Sequence, residues 1–287
     1  MSSPSSSAQQ ARQVLADRLR EVRVDAGLTA RALGRLMGRH PSKVSRVEHG
    51  SASPSADDIR AWCRHCGAPH QAADLVASLR AVEGMWVEWR RVERTGLRQA
   101  QESVRPLYER TRSFRVYSSW LMPGIVQTRG YTTAILTAIA RRRGLPDDIA
   151  DAVAVRMERQ RVLREGDHRF ALLVEESVLR AGIGGVETMA GQLGHLITIS
   201  SLPSVSLGVL PARPDRDAAW PVEGFWMFDD VQVNVELVSG HLTVTQPGEV
   251  AMYAQVFAEL AERAVYGTAA RSLITAAIDA LGGDATE

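Results

Sequence analysis

The sequence of 287 residues has two cysteines, one lysine and no long apolar run. Two cysteines are too few for a disulfide framework, which is typical of a cytosolic protein. No stretch reaches the roughly 18–20 apolar residues that cross a bilayer, so we expect no membrane partner and a cytoplasmic location. The opening MSSPSSSAQQ lacks the apolar centre of a secretory signal, and we interpret residues 1–10 as a disordered tail.

The charges of the chain are distributed unevenly. Lys and Arg number 34 and Asp and Glu number 33, a net charge of +1. Residues 11–70, however, carry 11 basic residues against six acidic ones, together with four histidines. A basic segment before a mildly acidic remainder indicates that residues 11–70 contact a polyanion.

Residues 11–70 show the pattern of four short helices. Apolar residues recur at helical spacing from Leu15, and Thr29 is suited to cap a second helix. Pro41 suits the first position of a third helix. Ser55 followed by Asp58 forms a capping-box pattern for a fourth. Two short helices joined by a tight glycine-containing turn make a helix-turn-helix, so we predict a mainly α N-terminal domain of this type.

The third predicted helix is too polar for a core helix. Val44 and Val47 define a narrow apolar edge, which directs Ser42 and Arg46 outward and places Lys43 on the flank. The N-terminal part of this helix enters the major groove in helix-turn-helix proteins, so we predict that Ser42 and Arg46 read base edges. The alternative is an ordinary solvated face. The predicted DNA-contacting residues are Thr29, Arg31, Arg39, Ser42, Lys43, Ser45, Arg46 and His49.

The segments LTARALGRLMG, HPSKVSRVEHG and SPSADDIRAWC resemble the lambda-repressor-like (XRE-type) DNA-binding domain over about 55 residues. The resemblance implies binding to double-stranded DNA. Two residues depart from the family pattern. Ala30 stands where the family often has a phosphate-contacting glutamine, and His40 stands where a Ser or Thr usually caps the third helix.

The pair Cys63 and Cys66 allows two interpretations. With His65 nearby, the CxxC spacing forms half of a zinc site. The cysteines also lie on an apolar stripe with Ile59 and Trp62, where a free cysteine acts as a small hydrophobe. The second half of a zinc site is missing from the sequence, so we predict no metal here.

The rest of the chain predicts a helical linker over residues 71–104 and an α+β domain over 105–283. The segment 72–93 shows the apolar spacing of one helix, whereas FALLVEE and VSLGVLP are typical of strands. His168, His195 and His241 show no metal-ligand spacing, and no phosphate-binding glycine motif occurs. We therefore expect no catalytic residues, no cofactor and no enzymatic activity. An enzyme that carries a DNA-binding domain stays open as an alternative.

Several separated segments of the second half resemble the regulatory domain of WhiJ-like actinobacterial regulators. They are SSWLMPGIVQTRGYTTAIL, VRMERQRVL, LVEESVLRAGIGG, QLGHLITISSLPSVSLGVLP and PGEVAMYAQVFAEL. The resemblance spans about residues 105–281. It implies a helix-turn-helix transcriptional regulator, commonly encoded beside a small partner protein and discussed as antitoxin-like.

From these patterns we predict a sequence-specific transcriptional regulator, most simply a repressor, whose C-terminal domain receives a signal from a small co-encoded partner protein. Two alternatives stay open: an antitoxin-like interaction module that regulates its own gene, and a small-molecule-sensing regulator. The candidate partner or ligand surface comprises Trp120, Leu121, Met122, Trp220, Phe225 and Trp226, although large apolar residues also form cores.

We also predict a homodimer, because symmetric dimers double a small interface with DNA. Trp86 and Trp89 lie on an apolar stripe of residues 71–112, which is a candidate dimer surface. The alternative is that both tryptophans pack within one chain.

Overall fold

The computed structural model describes residues 5–89, 93–212 and 220–283. The chain divides into two compact units, with the boundary between Val87 and Glu88. The first unit is helical, and the second combines a mixed sheet with helices. This confirms the predicted fold class of a helix-turn-helix domain followed by an α+β domain.

The described part of the first unit contains five helices. They are α1 (Ser5–Asp25), α2 (Ala30–Leu36), α3 (Pro41–Glu48), α4 (Ala56–His65) and α5 (Ala72–Met85). Their apolar edges meet in one core that includes Leu19, Leu33, Val44, Ile59 and Trp62, all at most 1% exposed. Full burial of side chains of this size stabilises the fold by roughly 1.5–3 kcal/mol each. The Trp62 indole also donates to the Leu19 carbonyl at 3.0 Å, so its polar atom is not left unpaired in the core.

The predicted helix starts are confirmed by hydrogen bonds to the first-turn amides. Thr29 Oγ1 accepts from the Ala32 amide at 3.1 Å. His40 takes the place of a Ser or Thr cap, and its Nδ1 accepts from the Ser42 amide at 3.3 Å. Ser55 and Asp58 bond each other's backbone amides reciprocally at 3.0 Å, which is a complete capping box.

Two predicted boundaries in this part of the chain are wrong. Helix α1 begins at Ser5, so the expected disordered tail does not extend to residue 10, and residues 1–4 lie outside the described chain. Alanine and glutamine favour helix, and extending an existing helix adds one hydrogen bond per residue. The single helix expected over 72–93 ends at Met85 and is followed by strand β1 (Trp86–Glu88). Tryptophan and valine favour extended backbone.

The second unit is built on strands β2 (Ser113–Ser118), β3 (Arg169–Glu175), β4 (Val205–Leu210), β5 (Phe225–Phe228), β6 (Gln232–Glu236) and β7 (Gly240–Val244). They lie in the order β7-β6-β5-β2-β3-β4. The pairs β2–β3 and β3–β4 are parallel, with Val116 opposite Leu172 and Leu172 opposite Leu207. The pairs β2–β5, β5–β6 and β6–β7 are antiparallel. Strand β7 was not predicted.

The helices described in the second unit are α6 (Leu97–Ser103), α7 (Arg105–Arg110), α8 (Arg129–Arg143), α9 (Ile149–Arg159), α10 (Glu176–Leu179), α11 (Val186–Ile199), α12 (Pro247–Arg263) and α13 (Gly267–Gly283). Helices α8 and α9 connect β2 to β3, and α10 and α11 connect β3 to β4. Parallel strands require such crossovers. The chain turns at GIGGVE, between α10 and the first residues of α11, where Gly182, Gly184 and Gly185 all have positive φ.

Helices cover both faces of the sheet in the second unit. Val116 and Leu172 pack in one large core with residues of α8, α11 and α13. On the opposite face, Phe225 contacts the rings of Tyr253 and Phe257 of α12, with centroid distances of 5.0 and 6.4 Å. A strand covered on both faces is apolar almost throughout, which explains the run FALLV of β3.

Candidate nucleic-acid interface

Helix α3 is held in the first unit by its apolar edge. Val44 and Val47 are 1% and 2% exposed and pack in the core of that unit. On the other side of the helix, Ser42 and Arg46 are exposed. They lie one turn apart, and Arg46 Nε donates to the Ser42 carbonyl at 3.3 Å. The helix therefore presents a hydroxyl and a guanidinium side by side to solvent.

The eight predicted DNA-contacting side chains all lie at or near the surface. Lys43 and Ser45 are partly exposed, and the exposed ones are Thr29, Arg31, Arg39, Ser42, Arg46 and His49. Arg35, which the sequence analysis did not single out, is also exposed and follows Arg31 by one turn of α2. Arg31 and Arg35 lie four residues apart on one polar face of α2, and this spacing could have identified Arg35 from the sequence.

Asp58 forms ion pairs with two of the predicted DNA-contacting residues. Lys43 Nζ lies 2.7 Å from Asp58 Oδ2, and Arg39 Nε lies 3.1 Å from Asp58 Oδ1. The Asp58 side chain is 5% exposed, whereas those of Arg39 and Lys43 are 49% and 35% exposed. The carboxylate thus fixes the position of two cations that keep part of their surface open to solvent, and it ties α3 to α4.

The ionised form of Asp58 is favoured by this arrangement. Burial opposes ionisation, but hydrogen bonds from Lys43 and from Ser55 outweigh it and lower the pKa of Asp58 well below its usual range. The carboxylate is therefore charged at neutral pH. It partly neutralises Lys43 and Arg39 in the absence of DNA.

A second ion pair holds the other end of α3. Glu48 is 6% exposed, and its carboxylate oxygens accept from Arg23 Nε at 2.5 Å and from the Arg23 terminal nitrogen at 2.9 Å. The hydrogen bond to Glu48 raises the pKa of Arg23 although burial opposes it. Arg23 also donates to the Leu28 carbonyl at 2.6 Å. This bidentate pair joins α3 to α1 and to the loop before α2, so the exposed face of α3 is rigidly oriented.

The aromatic residues predicted as a partner or ligand surface separate into two groups. Met122 and Phe225 are 1% and 0% exposed and belong to the core, which overturns their assignment to a surface. Trp226 is partly buried and stacks on Phe228. Leu121 is also partly buried. Trp120 and Trp220 remain open to solvent, at 49% and 51% exposure.

Trp89 packs within the second unit rather than on an open surface. Its indole donates to the Leu237 carbonyl at 2.8 Å, and Arg143 lies over its ring at 4.8 Å. These contacts favour the alternative in which this tryptophan stabilises one chain. The side chain of Trp86 lies outside the described part of the structure.

The environments of the cysteines and histidines are those of structural side chains rather than of metal ligands. Burial raises the pKa of the Cys63 thiol, and burial together with Cys63 raises that of Cys66 to about 11. His168 Nδ1 lies 2.6 Å from the Thr111 carbonyl, and burial lowers the pKa of His195 and of His241. Among the residues that the structure describes, no three His, Cys, Asp or Glu side chains are grouped to hold a metal ion. Within the same residues, no helix has both the length and the apolar character of a membrane span.

Comparisons with known proteins agree with the division of the chain. A family described as "Helix-turn-helix domain" matches residues 14–76. A second family, described as "Domain of unknown function (DUF5753)", matches residues 102–276, which is more than half of the chain. The search of curated proteins gave no match.

Among solved structures, TrmBL2, an archaeal chromatin protein with a novel mode of DNA binding, is similar at 11% identity. The match covers 84% of this chain and 88% of that chain, with a TM-score of 0.31, which is too low to assign a shared fold. The helix-turn-helix domain marks the chain as a DNA-binding regulator, and by its longer match the chain belongs to the DUF5753 family.

Proposed function

We propose that this chain is a sequence-specific transcriptional repressor of the WhiJ-like kind, in which α3 reads operator DNA and the second unit receives a signal from a small partner protein. The observation that carries the proposal is the division of α3 into a buried edge, Val44 and Val47, and an exposed face with Ser42 and Arg46. An exposed polar face at this position of a helix-turn-helix is the part that enters the major groove.

Each exposed side chain has a role that follows from its chemistry. Arg46 presents the planar fork that matches guanine O6 and N7, and Ser42 lies next to it for a second base edge. Arg39, Lys43 and Ser45 lie beside this face and contact phosphates, which fixes the register on the duplex. Thr29, Arg31 and His49 contact further groups of the DNA backbone.

The second unit has no enzymatic role in the proposed function and binds the small partner protein that carries the signal. Trp120 and Trp220, each about half exposed, are the side chains best suited to anchor a small protein. Any such partner controls DNA binding only if it has different affinities for the DNA-bound and the free protein. The repressor binds DNA as a homodimer, with two half-sites about one helical turn apart.

The test starts with the operator. Binding sites are mapped across the genome of the native host, and the purified chain is then bound to the recovered duplex. The small protein encoded beside the regulator is titrated into this complex. We expect it to bind the full-length regulator and to shift operator affinity. A partner that neither binds the regulator nor changes its operator affinity contradicts the receiver role and leaves DNA recognition by α3 to be judged separately.

A further inference from the structure

The second unit contains a cavity of about 220 Å³ beside the end of α9. It lies next to α7 and to the segment that leads from α9 to β3. Its lining consists of three arginines and a histidine, three acids, and three uncharged residues: Arg105, Arg159, Arg161 and His168; Glu109, Glu158 and Glu165; and Tyr108, Val162 and Gly166. The cavity is smaller than the roughly 300–1,000 Å³ of sites that hold drug-sized ligands. Its occupant is therefore a small molecule.

Arg159 is the buried cation of this cavity. It is 8% exposed, and its guanidinium lies 4.6 Å from the centroid of the Tyr108 ring. One terminal nitrogen donates to the Gln101 carbonyl at 3.2 Å, and the other lies 3.4 Å from Gln101 Oε1. Its Nε is buried and has no hydrogen-bond partner among the residues that the structure describes. Buried donors are nearly always paired in folded proteins, so this one calls for an acceptor.

Arg156 adds a second positive charge close to the first. Its Nε donates to Gln101 Oε1 and its terminal nitrogen to Gln127 Oε1, both at 2.9 Å. Burial, together with repulsion by Arg159, lowers the pKa of Arg156 to about 10, so it is still protonated at neutral pH. Both guanidinium groups thus donate to neutral amide oxygens.

The carboxylates nearby do not neutralise this pair. In the described chain, no carboxylate lies within 4.0 Å of Arg156 or Arg159, and Glu236 attracts both only at longer range. The other two arginines of the cavity are already matched with acids. Arg161 lies 2.9 Å from Glu158, and Arg105 lies 3.8 Å from both Glu158 and Glu109. The lining carries as many glutamates as arginines, and among the described residues Arg159 is the arginine of the lining that has no carboxylate within 4.0 Å.

We propose that this cavity binds a small metabolite through an oxyanion group, which accepts hydrogen bonds from Arg159 while Tyr108 supports the guanidinium from behind. A guanidinium fork suits the oxygens of a carboxylate or a phosphate, so the shared chemistry of the ligand is a small organic oxyanion. This site is separate from DNA recognition by α3 and from the protein partner proposed above.

The test titrates the full chain with inorganic phosphate, with acetate and with chloride at equal ionic strength, and follows the thermal unfolding midpoint. We expect a saturable rise of a few degrees with phosphate or acetate at millimolar concentration, and none with chloride. The anion that gives a saturable rise of the unfolding midpoint is the oxyanion that the site prefers. Arg159→Gln should abolish the saturable rise, whereas Arg141→Gln, which removes an exposed arginine of α8, should preserve it.

A second variant keeps the proposal testable if Arg159→Gln does not fold. Val162→Phe fills the cavity and removes no charge, and it should also abolish the saturable rise. The proposal is overturned if neither phosphate nor acetate gives saturation in the wild-type chain. It is equally overturned if saturation persists in Arg159→Gln or in Val162→Phe.

Discussion

At the scale of single residues, the proposed DNA-binding surface combines side chains that face solvent with side chains that hold α3 in place. Arg46 belongs to the first group, and Asp58 and Glu48 belong to the second. Lys43 belongs to both, because its ammonium contacts Asp58 and is still 35% exposed. Substitutions in the first group should therefore change DNA binding, whereas substitutions in the second group should change stability.

Arg46→Ala should reduce operator affinity by about 1–3 kcal/mol and relax the preference at one base pair, because it removes a base-reading fork. The measurement is fluorescence anisotropy with the operator and with duplexes substituted at each position. Arg20→Ala, which removes an exposed arginine of α1, serves as the matched control. An Arg46→Ala protein with unchanged affinity and unchanged preference would show that Arg46 does not read a base.

Lys43→Ala should weaken binding to operator and scrambled duplexes to a similar extent and reduce the salt slope by about one, since one phosphate contact is lost. Titrations at several salt concentrations measure the slope. Lys43→Arg keeps the charge and should keep the slope. If the slope of Lys43→Ala equals that of the wild type, Lys43 serves only the contact with Asp58.

Asp58→Asn should destabilise the first unit by about 1–3 kcal/mol at pH 7, because it breaks charged hydrogen bonds to Lys43 and Arg39. The folded pKa of Asp58 is lowered, so its contribution is present above the unfolded value of about 3.9 and is lost as the pH falls. The difference between variant and wild type should therefore shrink below about pH 4.

Amide hydrogen exchange of α3 and α4 measures this difference for the first unit alone. Asp57→Asn is the matched control, because Asp57 is the neighbouring acid and its side chain is 89% exposed. Equal protection of α3 and α4 in wild type and Asp58→Asn at pH 7 would contradict the stabilising role of Asp58.

At the scale of elements, Asp148 illustrates a contact between two helices of the second unit. It precedes α9, but its carboxylate oxygens accept from the amides of Leu97 and Arg98, at 3.0 and 2.8 Å, at the start of α6. Gly96 has a φ of 110°, and a Cβ there would clash with Asp148 Oδ2. The close approach of the carboxylate therefore requires glycine at position 96.

Asp148→Ala should cost about 0.5–2 kcal/mol of stability, because the first amides of α6 lose their acceptor. Thermal unfolding of the full chain, together with hydrogen exchange at Leu97 and Arg98, measures the loss. Asp147→Ala changes the exposed neighbouring acid and should have little effect. The capping role would be refuted by exchange rates at Leu97 and Arg98 that do not change in Asp148→Ala.

The elements also show which parts of the structure could be predicted from the sequence. The caps at Thr29 and Ser55 are local, because each bonds an amide three residues on, and both were predicted correctly. The partners of Asp148 could not be predicted in the same way. Its partners lie 51 and 50 residues away, and a sequence pattern does not indicate such a pairing.

The candidate sites show the same contrast between local features, which a sequence pattern indicates, and contacts between distant residues, which it does not. The outward face of α3 followed from the spacing of two valines, whereas the ion pair of Glu48 with Arg23 joins residues 25 positions apart and was missed. Met122 and Phe225 were placed on a surface because large apolar residues occur both at interfaces and in cores. Only the packing of the sheet against its helices distinguishes the two environments.

At the scale of the whole molecule, we predict that the chain is a homodimer at micromolar concentration. A dimer places two copies of α3 on two half-sites, and this geometry predicts a two-fold symmetric footprint on DNA. Light scattering gives the mass, and footprinting gives the symmetry of the site. A strict monomer with an asymmetric footprint would contradict this prediction.

The proposed function depends on recognition of a DNA sequence by the first unit. The most direct measurement compares the affinity of the intact chain for its mapped operator with that for a scrambled duplex of equal length and composition at physiological salt. We expect a preference of about 10³-fold or more for the operator. Equal affinity for the two duplexes at every salt concentration would contradict it.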